Sequence, residues 1–234
     1  DVILLDVDNG PDGLGVIDLL RALETSAAAA GGQVIVTLGN HEAEFLGDPN
    51  NSKASGMDGF ATQLQAQGIS VDALARGDEP RGAWMRRRPF AARVGRWFFS
   101  HAGDTGGRSV AELSGLVRDT VDRQGFGDKA LVGAGSLLGA EDWSVADKTI
   151  GDRYARAVGA LHLVFGHNPS GLGTKGQIGE AQDGTLFRID CGLSPYINYS
   201  EGVLFQVEIK DAKDVASALR PDGSKLQLWA GSIP

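Results

Sequence analysis

The stretch Val34-Ile35-Val36-Thr37-Leu38-Gly39-Asn40-His41-Glu42 decides how this chain is read. Val34–Leu38 is a short, β-branched, apolar run, the pattern of a buried strand. It stops at a glycine, and an amide, an imidazole and a carboxylate follow at once. Upstream, Leu14, Ile17, Leu20 and Leu23 recur at helical spacing and predict a helix over Leu14–Ala30, closed by Gly31-Gly32. Before that helix, Val2–Leu5 is another short apolar run and reads as a strand. Strand, helix, strand predicts a right-handed crossover joining parallel strands. The polar groups after Leu38 then sit at a carboxyl end, where open α/β sheets bind ligands.

The same event recurs along the chain. An apolar run ends and a potential ligand follows at Leu5→Asp6, Leu38→Gly39-Asn40-His41, Ser100→His101 and Gly166→His167. Three of the four histidines occupy such positions. His162 lies near the start of its strand and is assigned to the core or the surface. Phe90–Val94 and Trp97–Ser100 predict a strand pair around Gly95-Arg96. Val110–Val121 and Asp152–Ala160 predict helices, and Leu161–Phe165, Leu186–Asp190, Val203–Ile209 and Leu226–Trp229 predict strands. Ala130–Ser144 is Gly-rich and carries no assignment. Residues 47–88 are polar and weakly periodic. They read as a cap or insertion of short helices on one domain spanning 1–234.

Composition narrows the function classes. Hydrophobic residues make up 42% of the 234 and charged residues 22%, the balance of a globular protein. No apolar run reaches the roughly 20 residues that cross a bilayer, so no membrane partner is expected. The opening residues lack the basic region and cleavage site of a signal peptide. A formal net charge of −8 argues against a nucleic-acid partner. Arg86-Arg87-Arg88 is the dense cationic cluster, either a solvated loop or a landing site for an anionic substrate. The single cysteine, Cys191, forms no intrachain disulfide, which fits a cytoplasmic compartment better than secretion. It reads as a small buried hydrophobe. Oligomeric state is left open.

A carboxylate, an amide oxygen and imidazoles together suit divalent ions such as Mn²⁺, Fe²⁺ or Zn²⁺. Two such ions about 3.5–4 Å apart activate water and neutralise a phosphoryl group. Asp8-Asn9-Gly10-Pro11-Asp12, Gly39-Asn40-His41-Glu42, Ser100-His101-Ala102-Gly103 and Gly166-His167 follow, in order and approximate spacing, the signature of the calcineurin-like metallophosphoesterases. With Ile189-Asp190-Cys191-Gly192-Leu193-Ser194-Pro195, the chain most resembles the Shewanella-like branch of the serine/threonine phosphoprotein phosphatases. The resemblance implies an α/β (α+β) fold, a β-sandwich of two mixed sheets flanked by helices, with two divalent metal ions at loops on one edge.

It also implies roles. Asp6 would bridge the metals, and Asn40, His101 and His167 would complete the second metal's shell. His41 would be the general acid on the leaving alkoxide, oriented by Asp8. Metal-bound hydroxide would attack the phosphomonoester, with no covalent phosphoenzyme. Asn9, Arg108 and Tyr196 are candidate substrate contacts, and Tyr199 stands beside them. The expected partner is a phosphorylated protein, carrying phosphoserine, phosphothreonine or phosphotyrosine, or a small phosphoester.

Three departures qualify the resemblance. The Asp-x-His motif that supplies two first-metal ligands does not occur, so the chain is expected to begin inside the fold. One residue, not two, separates Asp6 from Asp8, and in a strand one residue reverses a side chain's direction. Asn9 stands where the family has a phosphate-clamping arginine, and Arg108, Arg153, Arg156 or Arg86–Arg88 are possible replacements. Two other functions remain open at this point: hydrolysis of nucleotide or dinucleotide polyphosphates, and non-catalytic binding of a phospho-ligand or partner.

Overall fold

The computed structural model describes residues 2–4, 10, 12–56, 59–147, 149–193, 197, 199–200 and 202–232. The chain opens with β1 (Val2–Leu4), α1 (Gly13–Ala29) and β2 (Ile35–Thr37), and β1 pairs with β2 in parallel, as the strand–helix–strand order predicts. Asp12 caps α1 by accepting from Gly15 N at 2.9 Å, and Gly31 beyond its end has φ +79°. Next come α2 (Asn40–Gly47), α3 (Phe60–Ala66), α4 (Val71–Arg76) and α5 (Pro80–Met85). Phe45, Phe60, Leu64, Leu74 and Met85 of these helices are buried in the same core as Leu14 and Ile17 of α1.

Then follow the hairpin β3 (Ala91–Val94) and β4 (Trp97–Ser100), α6 (Val110–Gln124), α7 (Lys129–Val132), α8 (Trp143–Ala146) and α9 (Ile150–Ala157). The remainder is β5 (His162–Phe165), β6 (Gly179–Ala181), β7 (Leu186–Arg188), β8 (Leu204–Lys210), β9 (Lys213–Leu219) and β10 (Lys225–Ser232). A five-stranded sheet runs β3-β4-β5-β7-β6, parallel at β4-β5 and β5-β7 and antiparallel at both edges. A three-stranded antiparallel sheet runs β10-β9-β8.

Alternation along the strands builds both faces of the large sheet. Phe98, Leu163 and Leu186 lie side by side across β4, β5 and β7 and pack into the helix-covered core. Phe99, Val164 and Phe187, one residue on, face Ala216, Phe205, Val207 and Trp229 of the smaller sheet. Helices thus cover one face and a second sheet the other, which leaves the strand ends free for chemistry.

Two strands had escaped the sequence pattern. β9 is rich in Ala and Ser, poor strand formers, and it becomes a strand because β8 and β10 flank it on both sides. Its Asp214 is 1% exposed and accepts from Trp97 Nε1 at 3.0 Å and Arg96 Nη2 at 2.7 Å. β6 is three residues long, too short for a period to register. Within 130–144 lie parts of α7 and α8, joined by turns in which Ser136 Oγ donates to Leu131 O at 2.6 Å and accepts from Gly139 N at 3.1 Å.

Two arginines of the cluster, Arg86 and Arg88, are engaged in packing, and Arg87 is exposed. Arg88 pairs with Glu24 and lies over Trp84, while Arg86 Nη1 donates to Ala75 O at 2.8 Å and its guanidinium lies over Phe126. His162 also packs: its ring stacks on Trp97 at 3.9 Å and Nδ1 meets Gly184 O at 2.6 Å. Among the described residues, no helix is long and apolar enough to cross a membrane.

Candidate active site

Three strand exits carry the polar groups. β2 ends at Thr37; Leu38 follows, its N–H donating to Pro89 O at 2.8 Å, and α2 then starts with Gly39 as its N-cap. Gly39 has no side chain to cap the helix, so Glu42 reaches back and accepts from Gly39 N at 3.1 Å. That contact holds Asn40, 3% exposed, and His41 in the first turn of α2. β4 exits at His101, and β5 exits through Gly166 into His167. The last two exits are tied together, because Gly166 N donates to His101 O at 2.7 Å.

The strand-end groups meet. His101 Nε2 lies 2.9 Å from Asn40 Oδ1, 61 residues away in sequence. The His101 and His167 rings have centroids 5.2 Å apart at 56°. The charge of His41 acts on both histidines. Asp6, Asp8, Asn9 and Tyr196 lie outside the described residues. Among the described contacts, Arg108 meets Thr105 O at 3.4 Å and acts on the carboxylates of Asp104 and Glu112, and no histidine is among its partners. Tyr199 is engaged by Lys175, whose Nζ lies 3.3 Å from its hydroxyl and 4.7 Å from its ring centroid.

The backbone around these groups is constrained. His167 has φ +70°, a left-handed conformation that is costly without a glycine. Asn168 N donates to Gly166 O at 2.9 Å, which closes a γ-turn of the rare, strained hand around His167. After His101, Ala102 N donates to Leu137 O at 3.0 Å and Ala102 O accepts from Trp143 Nε1 at 2.8 Å. Gly103 has φ +84°, and an added Cβ would stand 2.7 Å from Phe165 Cβ and 2.8 Å from Trp143 Cζ2. Arg188 of β7, fully buried, donates to Leu172 O at 2.7 Å, Thr174 O at 2.9 Å and Asp190 O.

Electrostatics keep the imidazoles neutral. Burial pushes His101 well below its ordinary value, and the charges of His167, His41 and Lys53 push the same way. Burial also lowers His167, opposed by Glu141 and Asp190 and assisted by His41 and Lys53. Neutral imidazole is the form that ligates a metal. His101 Nδ1 is buried with no hydrogen-bond partner among the described residues, an orphaned polar atom of the kind that asks for a ligand. Beside it, His101 Nε2 faces Asn40 Oδ1 at 2.9 Å, an imidazole and an amide oxygen of the kinds that ligate divalent cations. The donors present therefore fit a divalent cation. Among the described residues, no group of three or more His, Cys, Asp or Glu is assembled around one point; the converging set is a histidine pair with an amide.

Three neighbours were not singled out as site residues by sequence reasoning: Lys53, Glu141 and Asp190, whose charges reach these histidines. Asp190 lies in a quoted motif and was within reach. Lys53 is a lone lysine in a turn-rich stretch and gives no sequence signal.

Two packed sheets with helices outside make the α/β sandwich that the sequence predicts, and an Asn–His–His cluster stands at its strand exits. Among solved structures, the chain resembles a cold-active protein-tyrosine phosphatase of a psychrophilic Shewanella species, with a TM-score of 0.75 and 17% identity over 97% of this chain and 69% of that one. A second structure of a cold-active protein tyrosine phosphatase gives a TM-score of 0.74 and 17% identity over 97% of this chain and 68% of that one. At this identity the likeness carries the fold. No protein-family model matches the chain, and no curated protein matches its sequence.

Proposed function

We propose that this protein is a metal-dependent phosphatase that hydrolyses phosphomonoesters, with phosphorylated side chains of proteins as its substrate class. The observation that carries the reading is the meeting of Asn40, His101 and His167 at adjacent strand exits, with neutral, buried imidazoles and one orphaned ring nitrogen. The fold shared with a protein-tyrosine phosphatase supports it.

Asn40 Oδ1, His101 and His167 would hold a divalent cation, and Asp6 is the further carboxylate proposed for it. Divalent cations bound here would neutralise phosphoryl charge and lower the pKa of water. The chain's own groups do the rest. Burial keeps the imidazole lone pairs available. The strained turn at His167 and the Gly166–His101 hydrogen bond fix the two rings relative to each other. His41, adjacent to Asn40 in the first turn of α2, delivers a proton to the leaving oxygen, oriented by Asp8.

Metal content and turnover of an aryl phosphate with Mn²⁺ test this, on the wild type and on His41→Ala. The expected result is bound divalent metal, measurable turnover, and a kcat about 10²- to 10⁴-fold lower in the variant. Faster turnover of phosphopeptides than of dinucleotide polyphosphates is expected. Less than one metal per chain with no turnover refutes the enzyme reading and leaves a binding module.

A further inference from the structure

We propose that Lys53 is a substrate-binding residue that meets the phosphoryl group through its ammonium, an inference that rests on the phosphatase reading above. A phosphomonoester dianion needs cationic partners beyond any metal. Three arginines are committed elsewhere: Arg88 to Glu24, Arg86 to Ala75 O, and Arg188 to three carbonyls. Lys53 instead pairs with a carboxylate on α2, the helix that carries His41.

The segment after α2 is a run of pinned turns. Asp48 O accepts from Asn51 N at 3.1 Å and from Asn51 Nδ2 at 2.8 Å. Asn51 Oδ1 accepts from Lys53 N at 3.0 Å and Ala54 N at 3.1 Å, and Ala54 is buried in the core. The backbone at Lys53 is thereby fixed, and its side chain turns back onto α2. There Nζ lies 2.7 Å from Glu44 Oε2 and 3.0 Å from Oε1. Glu44 stands three residues after His41, so the two share a helix face with Cβ atoms about 5–6 Å apart. The ammonium is thereby held on the helix that presents His41, within about one turn of it.

The pair with Glu44 does not sequester the charge. The Lys53 side chain is 46% exposed and Glu44 22%, and half-exposed ion pairs are weak. An ammonium has three donors, so it can keep one carboxylate oxygen and give another hydrogen to a phosphate oxygen. Glu44 then competes with the phosphate for the ammonium and is not needed to present it.

The test compares Lys53→Gln, Lys53→Arg and Glu44→Gln with the wild type. It reads kcat and KM for an aryl phosphate, together with the affinity of the metal-loaded protein for inorganic phosphate by calorimetry. Lys53→Gln is expected to raise KM and weaken phosphate binding about 10-fold or more, with kcat changed less. Lys53→Arg should restore most of the loss, and Glu44→Gln should leave phosphate binding unchanged or tighter. KM and phosphate affinity within twofold of wild type in Lys53→Gln overturn the inference. So does equal weakening by Lys53→Gln and Glu44→Gln, which would make the pair only a brace for α2. If the wild type turns over no phosphoester, the phosphatase reading fails, and phosphate affinity alone then decides the role of Lys53.

Discussion

Replacing Gly103 with alanine tests how tightly the loop after His101 is built. Two costs follow from the structure. At φ +84° an L-residue is left-handed, worth about 1–2 kcal/mol. The new methyl would also lie 2.7 Å from Phe165 Cβ and 2.8 Å from Trp143 Cζ2, well inside van der Waals contact. Trp143 is held by its hydrogen bond to Ala102 O, and Phe165 is a buried residue of β5, so neither yields easily. Overpacking of this kind costs about 1–3 kcal/mol. The total expected loss is about 2–5 kcal/mol. Gly95 is the control: its φ is +59° and an added Cβ meets nothing within 4 Å, so Gly95→Ala should cost the backbone part alone. Urea denaturation of both variants, with m unchanged, reads the difference from the midpoints. A Gly103→Ala loss no larger than that of Gly95→Ala refutes the close packing of Gly103 against Trp143 and Phe165.

Acid should weaken the fold through His162. Burial lowers its pKa below the ordinary 6.5, so below about pH 6.5 the unfolded chain takes up a proton that the folded chain resists. Its contribution is full above that pH and is lost as pH falls, by at most about 1.4 kcal/mol per unit. His162→Gln removes it, so the stability gap between wild type and variant should narrow from pH 7.5 to 5.5, and a constant gap contradicts the assignment. Arg188→Met leaves Leu172 O, Thr174 O and Asp190 O without their guanidinium and should cost more than about 3 kcal/mol in urea; a loss below about 1 kcal/mol counts against its bracing role. Burial raises the Cys191 thiol to about 11. Iodoacetamide at pH 8 should therefore spare the folded protein and label it in urea, and fast labelling of the folded chain would contradict that burial.

Much of the architecture was legible in the order of residues. The helix after β1, the parallel β1–β2 pair, the β3–β4 hairpin around Gly95-Arg96 and the helix from Val110 all follow local periodicity and punctuation. Strand-end positions for His101 and His167 were equally plain. β9 was not, because Ala216, Ser217 and Ala218 carry no strand preference of their own and are held between two neighbours. Lys53 was not, because its approach to α2 depends on turns closed by Asn51 and on the packing of Ala54.

By itself the sequence determined which groups stand at the ends of buried strands, since apolar runs and glycine breaks are local properties of the chain. Tertiary structure alone decided that Asn40 and His101 touch, that His101 is desolvated enough to stay neutral, and that His167 pays for its left-handed turn. Contact between residues 61 apart, like the loss of water around them, arises only when separate strands are brought into one sheet.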